Sequence, residues 1–403
     1  MDTIEKVQSL GEAARYDLCG ACGESHRVKD EVGRWIYPAA LPDGKTVKLL
    51  KILLTNACDN NCLYCFNRKD RDFPRTSFKP EELAYLFDQL YRAEMVQGLF
   101  LSSAVHGSPD RTMEQMIATA EILRRNYLYR GYIHLKIMPG ASWGCVERAT
   151  QVADRVSVNL EAPGQKWLRR LAPDKELDAL LAPLHWVRRL LDEEDERRVQ
   201  RAGQTTQFVV GAAGEPDKEI LQTTERLYRE VKLARVYFSA FQPLVGTPLE
   251  DQPATPLLRE HRLYQTDFLF RRYGFNLEEL IFDEEGNLPL EADPKMVWAL
   301  NHPQLFPVEV NRATKEELLR VPGIGPKSAS QIIKGRRLGR LRTLEDIQRL
   351  GAVAKRAAPF ITLNGKRPAF QLSLWDALSE KPHDKAEALT SLSLPSTELV
   401  YYP

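Results

Sequence analysis

Six short apolar segments alternate with longer amphipathic segments between residues 47 and 241. Each apolar segment has the length and the β-branched composition of a strand that is buried on both faces, as in parallel sheets. The intervening segments, such as residues 81–95 and 217–233, are typical of amphipathic helices. A strand–helix unit that repeats six times predicts an α/β fold with a parallel sheet or a partial barrel, in which functional loops follow the carboxyl ends of the strands. The predicted strands are residues 47–54, 98–102, 132–138, 156–160, 207–210 and 236–241.

The repeating pattern ends before residue 306, and this change divides the chain. Short helices punctuated by Gly and Pro follow residue 308, and a polar segment follows residue 374. The sequence therefore predicts five parts. They are an N-terminal extension (1–45), the α/β barrel (46–248), a helical linker or barrel-closing region (249–306), an all-α module (307–367) and a flexible tail (368–403).

Composition favours a cytoplasmic protein. With 403 residues, 43% of them hydrophobic, the chain can bury a large core beside smaller modules. Residues 1–16 lack the apolar core of a signal peptide, and no later stretch of about 20 residues is continuously apolar. Six cysteines, three of which fall within eight residues, do not form the disulfide framework of a secreted domain. We therefore expect a reducing, cytoplasmic location and no membrane anchor.

The overall net charge of +1 conceals a basic module. Residues 308–367 contain 14 Lys and Arg against five Asp and Glu, a local net charge of +9. A positive charge concentrated in this way is typical of a surface that binds a polyanion. A helical packing module with solvated basic side chains is the alternative.

Three cysteines, Cys58, Cys62 and Cys65, form a CxxxCxxC triad in the loop after the first predicted strand. Each thiolate can bind one iron of a [4Fe–4S] cube, and the short loop leaves the fourth iron open. A structural zinc site is one alternative, although no further Cys or His lies nearby in the sequence to complete four ligands. Unpaired core cysteines are a second alternative, which the polar neighbours DNN and NRKD disfavour.

Two further groups of residues have the pattern of binding sites. Cys19 and Cys22 form a separate CxxC, which can supply half of a zinc site or of an auxiliary cluster site. Ser157, Asn159 and Glu161 alternate along the fourth predicted strand, which puts three polar groups on one face of a buried element. Burying them is costly unless they bind something, so the two interpretations are a ligand site and a polar network that satisfies itself.

The basic module contains a helix-hairpin-helix pattern. A capping box from Thr314 to Glu317 opens a short helix, VPGIG ends it, and Pro326 starts the next helix. VPGIGPKSA resembles the hairpin of the helix-hairpin-helix family, whose backbone amides bind nucleic-acid phosphates without reading sequence. Residues 343–351 predict a second hairpin half that packs against the first. The residues expected to contact DNA are Gly323, Gly325, Lys327, Lys334, Arg336 and Arg337.

The triad, with the aromatic Tyr64 before its last cysteine, resembles that of the radical S-adenosylmethionine (SAM) superfamily. The resemblance implies a partial (β/α)6 barrel, a [4Fe–4S] cluster and SAM, whose reductive cleavage gives a 5′-deoxyadenosyl radical that abstracts hydrogen from a substrate. Cys145 has two interpretations, a hydrogen-atom donor like the cysteine of spore photoproduct lyases and a buried, inert thiol. The positions that the resemblance implies for SAM binding are Ser102, Ser103, Ser157, Asn159, Glu161 and Gly211.

Over its whole length the chain resembles a family of radical SAM proteins with a C-terminal helix-hairpin-helix that is assigned to DNA modification or repair. The matching stretches include LFLSSAVHGSPDRTME, HLKIMPGAS, SVNLEAP, LAPDK and VPGIGPKSA. The resemblance implies an enzyme that acts on a base, a sugar or a lesion of DNA. An RNA-modifying enzyme that acts on tRNA and a non-catalytic iron–sulfur redox sensor that binds DNA are the alternatives. The peptide QLSLW, from Gln371 to Trp375, resembles the motif that docks bacterial replication and repair proteins on the sliding clamp.

Overall fold

The computed structural model describes residues 2–15, 35–40, 46–193 and 203–368. Two predicted features, the CxxC of Cys19 and Cys22 and the peptide from Gln371 to Trp375, lie outside these residues. The described chain divides into two compact units. The first comprises the residues up to Glu215 together with Arg226–Glu260, and the second comprises Pro216–Glu225 and the residues from His261 onward.

A seven-stranded sheet forms the centre of the first unit. Each strand pairs with the next in chain order, in parallel from β2 to β7, whereas β1 is antiparallel to β2. Since the two end strands do not pair with each other, the described sheet is an open, curled half-barrel. The strands are β1 (Ile36–Ala40), β2 (Thr46–Leu53), β3 (Gly98–Ser102), β4 (Tyr132–Lys136), β5 (Arg155–Ser157), β6 (Gly203–Val210) and β7 (Arg235–Ala240).

The six parallel strands confirm the predicted fold class, a partial (β/α)6 barrel. Strand β1 was not predicted, because its sequence IYPAA is short and contains Pro38. Proline has no N–H to donate to a β-ladder, so within sheets it is found mainly on edge strands, and β1 is the edge strand of this sheet.

Helices follow the strands in the order that the sequence predicts. Helix α3 shows how local chemistry sets their starts: the Ser108 side chain accepts a hydrogen bond from the Arg111 N–H, and Pro109 occupies the first turn. The α-helices of the described chain up to residue 268 are α1 (Thr3–Arg15), α2 (Pro80–Arg92), α3 (Pro109–Arg125), α4 (Trp143–Val152), α5 (Gln165–Leu171), α6 (Leu177–Glu193), α7 (Asp217–Val231) and α8 (Leu257–Phe268). Among the described residues, none of the helices combines the length and the apolar composition needed to cross a membrane.

The two faces of the half-barrel differ in polarity. On β3 and β4, every second side chain is aliphatic and fully buried, as Leu99 and Leu135 are, which suits the face that helices cover. The alternate positions lie on the inner face, where the rings of Phe100 and His134 are 4.3 Å apart. The inner face therefore carries the polar residues of these strands.

Short helices dominate the second unit. The side chains of Thr314 and Thr343 accept hydrogen bonds from the N–H groups of Glu317 and Asp346, which closes a capping box at the start of α10 and of α12. A short parallel pair, β8 (Val308–Glu309) with β9 (Ile361–Thr362), joins the two ends of this region. The helices are α9 (Pro294–Asn301), α10 (Lys315–Arg320), α11 (Pro326–Leu338), α12 (Leu344–Arg349) and α13 (Ala354–Ala357).

Candidate active site

The cysteine triad occupies the loop that follows β2, at the carboxyl edge of the parallel strands. A backbone hydrogen bond from Leu63 N–H to Leu171 O (2.7 Å) fixes the middle of this loop. Cys62 is buried, Cys58 and Cys65 are half-buried, and all three are free thiols. They line one cavity of about 410 Å³, so the sequence-predicted ligands are brought together.

One guanidinium ties the two flanks of this loop together. Arg75 donates four hydrogen bonds shorter than 3 Å, one to a carbonyl oxygen that precedes the triad and three to carbonyl oxygens that follow it. These acceptors are Asn56 O (2.6 Å), Asn67 O (2.8 Å), Arg68 O (2.6 Å) and Arg71 O (2.9 Å). The loop geometry is therefore fixed by residues of the chain itself.

Four of the six positions predicted to bind SAM line the same cavity. Ser102 and Ser103 are at the end of β3, and Asn159 and Glu161 follow β5. Since these strands are parallel, their carboxyl ends meet at one edge of the sheet, which is where the fold class places functional groups.

The other two predicted positions have different surroundings. Ser157 Oγ and His134 Nε2 are hydrogen-bonded at 2.9 Å on the inner face of the half-barrel. Gly211 N–H donates to the carboxylate of Glu215, which ends the same loop. Neither Ser157 nor Gly211 is among the residues that line the cavity.

A buried ion pair, which the sequence did not reveal, lies beside the triad. Lys175 Nζ donates to Glu161 Oε1 at 2.9 Å, and the two side chains are only 9% and 5% exposed. Glu161 has a φ of 65°, a left-handed conformation that is rare outside glycine and is concentrated at functional sites. Its Oε2 is buried without a hydrogen-bond partner. A carboxylate oxygen left unpaired at a cavity is satisfied when a ligand donates to it.

Burial controls the ionisation of the groups around the triad. Burial raises the pKa of Cys62, and it raises the pKa of Cys65 to about 12. Burial alone would lower the pKa of Lys175, but Cys62 and Glu161 outweigh it and raise that pKa. Lys175 is therefore a positive charge beside the triad, where a bound metal ion would compensate the charge of the thiolates.

The donor set suits an iron–sulfur cube. In the part of the chain that the structure describes, no three Cys, His, Asp or Glu side chains converge as the ligands of a single metal ion do. A cube instead needs one thiolate for each of three irons, and Cys58, Cys62 and Cys65 stand around one cavity. The cavity volume lies within the range of small-molecule sites, about 300–1,000 Å³, so a cofactor fits beside the triad.

Cys145 does not share this cavity. It lies in the first turn of α4 and is buried, and its Sγ donates to Asp110 O at 4.0 Å. Burial raises the pKa of its thiol. The structure therefore places Cys145 apart from the residues that line the cavity.

The predicted hairpin lies in the second unit between α10 and α11. Gly323 has a φ of 83°, and a Cβ at this position would lie 2.6 Å from Val353 O. Val353 N–H also donates to Gly323 O at 2.8 Å. The second hairpin half thus packs against the first, and the close approach of the two backbones requires glycine.

The basic side chains around the hairpin fall into two groups. Lys327, Lys334 and Arg337 are exposed. Arg336 is half-buried and donates to the carbonyl oxygens of two residues that precede α10, Val310 (2.9 Å) and Ala313 (2.7 Å). Gly325, which was also predicted to contact DNA, is the N-cap of α11, and its N–H donates to Ser328 Oγ (2.8 Å).

The chain is similar to two known families. The radical SAM superfamily matches residues 52–227, and the helix-hairpin-helix motif matches residues 306–362. None of the curated proteins matches the chain.

Several solved structures are similar to part of the chain. The FeFe-hydrogenase maturase HydG from Carboxydothermus hydrogenoformans is 14% identical with a TM-score of 0.42, over 54% of this chain and 49% of that one. Methylornithine synthase (PylB) is 15% identical with a TM-score of 0.42, over 54% and 60% of the two chains. The cobalamin-dependent S-adenosylmethionine radical enzyme OxsB is 12% identical with a TM-score of 0.35, over 84% and 55%. The chain spans about half of the length of these proteins.

Proposed function

The chain contains a radical SAM domain and, after it, a helix-hairpin-helix motif, and from this combination we propose an enzyme that binds DNA and abstracts hydrogen from a base, a sugar or a lesion. The observation that carries the proposal is the presence of both parts in one chain. A cavity lined by three free thiols supports radical chemistry, and a module with a net charge of +9 supports binding to a polyanion.

Cys58, Cys62 and Cys65 fit the CxxxCxxC motif that holds the [4Fe–4S] cluster of radical SAM domains. A [4Fe–4S] cluster held by these three thiolates, with SAM at its open iron, would supply the electron for reductive cleavage of SAM and hence the radical chemistry. Glu161 Oε2, which has no hydrogen-bond partner in the chain, is available to accept a hydrogen bond from a ligand bound in the cavity. Lys175 holds the other oxygen of that carboxylate and adds positive charge beside the thiolates. Residues of the chain thus supply the contacts that orient the reactants.

The exposed Lys327, Lys334 and Arg337 provide contacts to phosphates at the hairpin. Gly323 and the N-terminus of α11 set the shape of the hairpin. Arg336 stabilises the module instead, because its guanidinium donates hydrogen bonds to two carbonyl oxygens of the chain. Such contacts hold a nucleic-acid backbone without reading sequence, and a target inside a duplex must be extruded before it reaches a cavity.

The proposal is tested with cluster-loaded protein, SAM, a reductant and duplex DNA. We expect 5′-deoxyadenosine and a modified nucleoside, which mass spectrometry of the enzymatically digested DNA detects. Cys62→Ala removes one of three iron ligands, so this variant must lose the cluster and both products. Cleavage of SAM without salt-sensitive binding to any DNA would contradict the DNA part of the proposal.

Two other functions are outcomes of the same experiment. Helix-hairpin-helix contacts to phosphates do not by themselves separate DNA from RNA, so tRNA and duplex DNA are compared as competitors at equal ionic strength. Preference for tRNA with a modified tRNA nucleoside would mean an RNA-modifying enzyme. A cluster that changes redox state, with DNA binding but no 5′-deoxyadenosine, would mean a redox sensor.

Three further expectations remain part of the proposal. Free thiols suit the reducing cytoplasm. A hydrogen-donor role for Cys145 requires that Cys145→Ala still cleaves SAM but fails to complete the product. The peptide from Gln371 to Trp375 is tested by deletion, which must abolish any binding of the chain to a purified sliding clamp.

A further inference from the structure

A buried lysine contacts the middle of the hairpin that the proposed function assigns to phosphate binding. Lys295, in the first turn of α9, is 7% exposed, and its Nζ donates a hydrogen bond to Ile324 O at 2.6 Å. Ile324 stands between the two glycines of the hairpin and is 1% exposed. Both residues belong to the second unit, although residue 295 falls in the segment that the sequence predicts as a linker or barrel-closing region (249–306). A side chain of this segment therefore takes part in the structure of the hairpin.

The peptide unit that Lys295 contacts also begins α11. Its carbonyl oxygen accepts from Lys295, and its amide, Gly325 N–H, donates to Ser328 Oγ at 2.8 Å. Gly325 is the N-cap of α11, so the orientation of this peptide unit sets the direction in which the first amides of the helix point. An ammonium that donates to the carbonyl oxygen also polarises the peptide and strengthens its N–H as a donor. Lys295 can thus act on a phosphate at the N-terminus of α11 without touching it.

An aromatic ring holds the ammonium beside the hairpin. The Lys295 Nζ lies 4.6 Å from the centre of the Tyr273 ring, a distance at which the ring attracts a cation. A Cβ at Gly325 would stand 3.2 Å from the Tyr273 hydroxyl oxygen, so the glycine leaves room for Tyr273 to approach the hairpin. Burial raises the pKa of Tyr273, so its hydroxyl stays neutral. Tyr273 therefore favours the position of the ammonium beside Ile324 and adds no charge.

The charged groups that act on Lys295 are Asp293, Arg320 and Arg356, and the one acid among them already has partners. Asp293, the N-cap of α9, accepts from Met296 N–H and from the guanidinium of Arg356 in α13. Burial lowers the pKa of Lys295 to about 7; Asp293 raises it, and Arg356 and Arg320 of α10 lower it further. The ammonium is therefore close to half-ionised at neutral pH, and an additional negative charge nearby would keep it protonated.

We propose that Lys295 is a positioning residue for nucleic-acid binding, which orients the hairpin through Ile324 O and adds its positive charge to the phosphate site. The inference rests on the proposed function, in which the hairpin binds phosphates. A phosphate at the N-terminus of α11 favours the charged form of the lysine, so binding takes up protons wherever the free protein is partly deprotonated. By linkage, affinity for duplex DNA rises as pH falls through the range in which Lys295 titrates.

The test measures binding of duplex DNA to the full chain by fluorescence anisotropy, from pH 6 to pH 9 at constant ionic strength. If a bound phosphate raises the pKa of Lys295 by about one unit, wild-type affinity should be about tenfold higher at pH 6 than at pH 9. Lys295→Met keeps the length of the side chain and removes the donor and the charge. This variant should bind about tenfold more weakly at pH 6 and depend little on pH. Identical profiles for the wild type and this variant would overturn the proposal.

Arg262→Met is the matched control. Arg262 is 8% exposed in the same unit and donates to Leu290 O at 2.5 Å, a carbonyl oxygen outside the hairpin. Its replacement also removes a buried cation and a hydrogen bond to the backbone, and urea unfolding shows that each variant is folded. We expect wild-type affinity and a wild-type pH profile from Arg262→Met. A loss of affinity equal to that of Lys295→Met would mean that both act through stability alone, which contradicts a positioning role.

A second measurement needs only the wild-type protein. Isothermal titration calorimetry with duplex DNA at pH 7.5, in two buffers of different ionisation enthalpy, gives the number of protons taken up. A pKa that rises from about 7 to about 8 corresponds to an uptake of about 0.5 proton. Absence of proton uptake would overturn the proposal even if Lys295→Met proved unfolded.

The outcomes keep this proposal separate from the proposed function. Salt-sensitive binding to DNA that depends neither on pH nor on Lys295 would refute the positioning role and leave the proposed function standing. Wild-type protein that binds neither duplex DNA nor tRNA would refute the nucleic-acid part of the proposed function, and the role of Lys295 with it.

Discussion

Replacing Arg75 with methionine should loosen the loop that carries the cysteine triad. The side chain makes four hydrogen bonds of 2.6–2.9 Å to carbonyl oxygens on both flanks of the loop. Each such bond contributes about 1 kcal/mol net, and Arg75 is half-exposed, so water replaces part of what is lost. We therefore expect loop opening to become easier by about 3 kcal/mol, a factor of about 100 in the opening equilibrium.

The assay is the anaerobic release of iron from reconstituted protein to a chelator, together with the iron and sulfide content. Arg75→Met should bind less iron and release it about 100-fold faster if release requires the loop to open. Arg75→Lys keeps the positive charge but cannot reach four carbonyl oxygens, so it should behave as the methionine variant does if geometry matters and as the wild type does if charge alone matters. Arg130→Met, at an exposed position, is the control. Wild-type iron content and release rate in Arg75→Met would refute the reasoning.

Three other predictions concern the second unit. Lys327→Met should weaken binding to all duplexes alike and reduce the slope of log K against log salt by about 1, as anisotropy titrations at several salt concentrations would show; an unchanged slope contradicts the phosphate contact. Gly323→Ala should destabilise this unit by about 2 kcal/mol in urea unfolding, because the new Cβ meets Val353 O in a left-handed conformation. Gly365→Ala, also left-handed but with open space around the Cβ, should cost less, and an equal loss would argue against the contact. Burial lowers the pKa of Lys295 to about 7, so between pH 7 and its unfolded-state pKa of about 10.4 the unfolded chain binds a proton that the folded chain lacks. Stability should therefore rise across this window by up to about 1.4 kcal/mol per pH unit, and the rise should be absent from Lys295→Met; parallel pH profiles would contradict it.

The parallel strands could be predicted because their outer positions are aliphatic and their lengths are bounded by helical segments. Aliphatic residues such as Leu99 and Leu135 indicate buried positions, whichever element they pack against. Strand β1 could not be found in this way, since a short antiparallel edge strand with a proline lacks both the period and the composition on which the prediction depends.

The site could be predicted only where its residues are close in the sequence. The triad is local, and Asn159 and Glu161 alternate at one strand end, so the sequence alone was enough to propose both groups as candidates. Lys175 lies 14 positions after Glu161, beyond α5, and a single lysine in a polar loop has the pattern of a solvated side chain. Only the fold brings its ammonium to the carboxylate.

The basic module shows a different limit, which is that counting charges does not locate them. Lys334 and Arg336 are two residues apart in one helix, yet the first is exposed and the second is committed to two carbonyl oxygens. The pattern at Gly323 correctly predicts a turn, but the reason for glycine is the backbone of Val353, which belongs to the second hairpin half. Neither contact can be predicted from the sequence of one helical segment, because each involves a residue of another segment.

The inner face of the half-barrel connects the fold to the proposed chemistry. Strand β4, YIHLK, alternates apolar and polar residues, a pattern that in an antiparallel sheet indicates a solvated face. In a half-barrel the helices cover the outer face, so His134 and Lys136 must face inward, where the cost of desolvating them is greatest. Part of this cost is offset within the chain, because His134 and Ser157 of the neighbouring strand β5 are hydrogen-bonded to each other at 2.9 Å. Alternating polarity in an interior strand of a parallel sheet therefore indicates side chains that face the inside of a half-barrel, and here one of them, Lys136, lines the cavity that the cysteine triad lines.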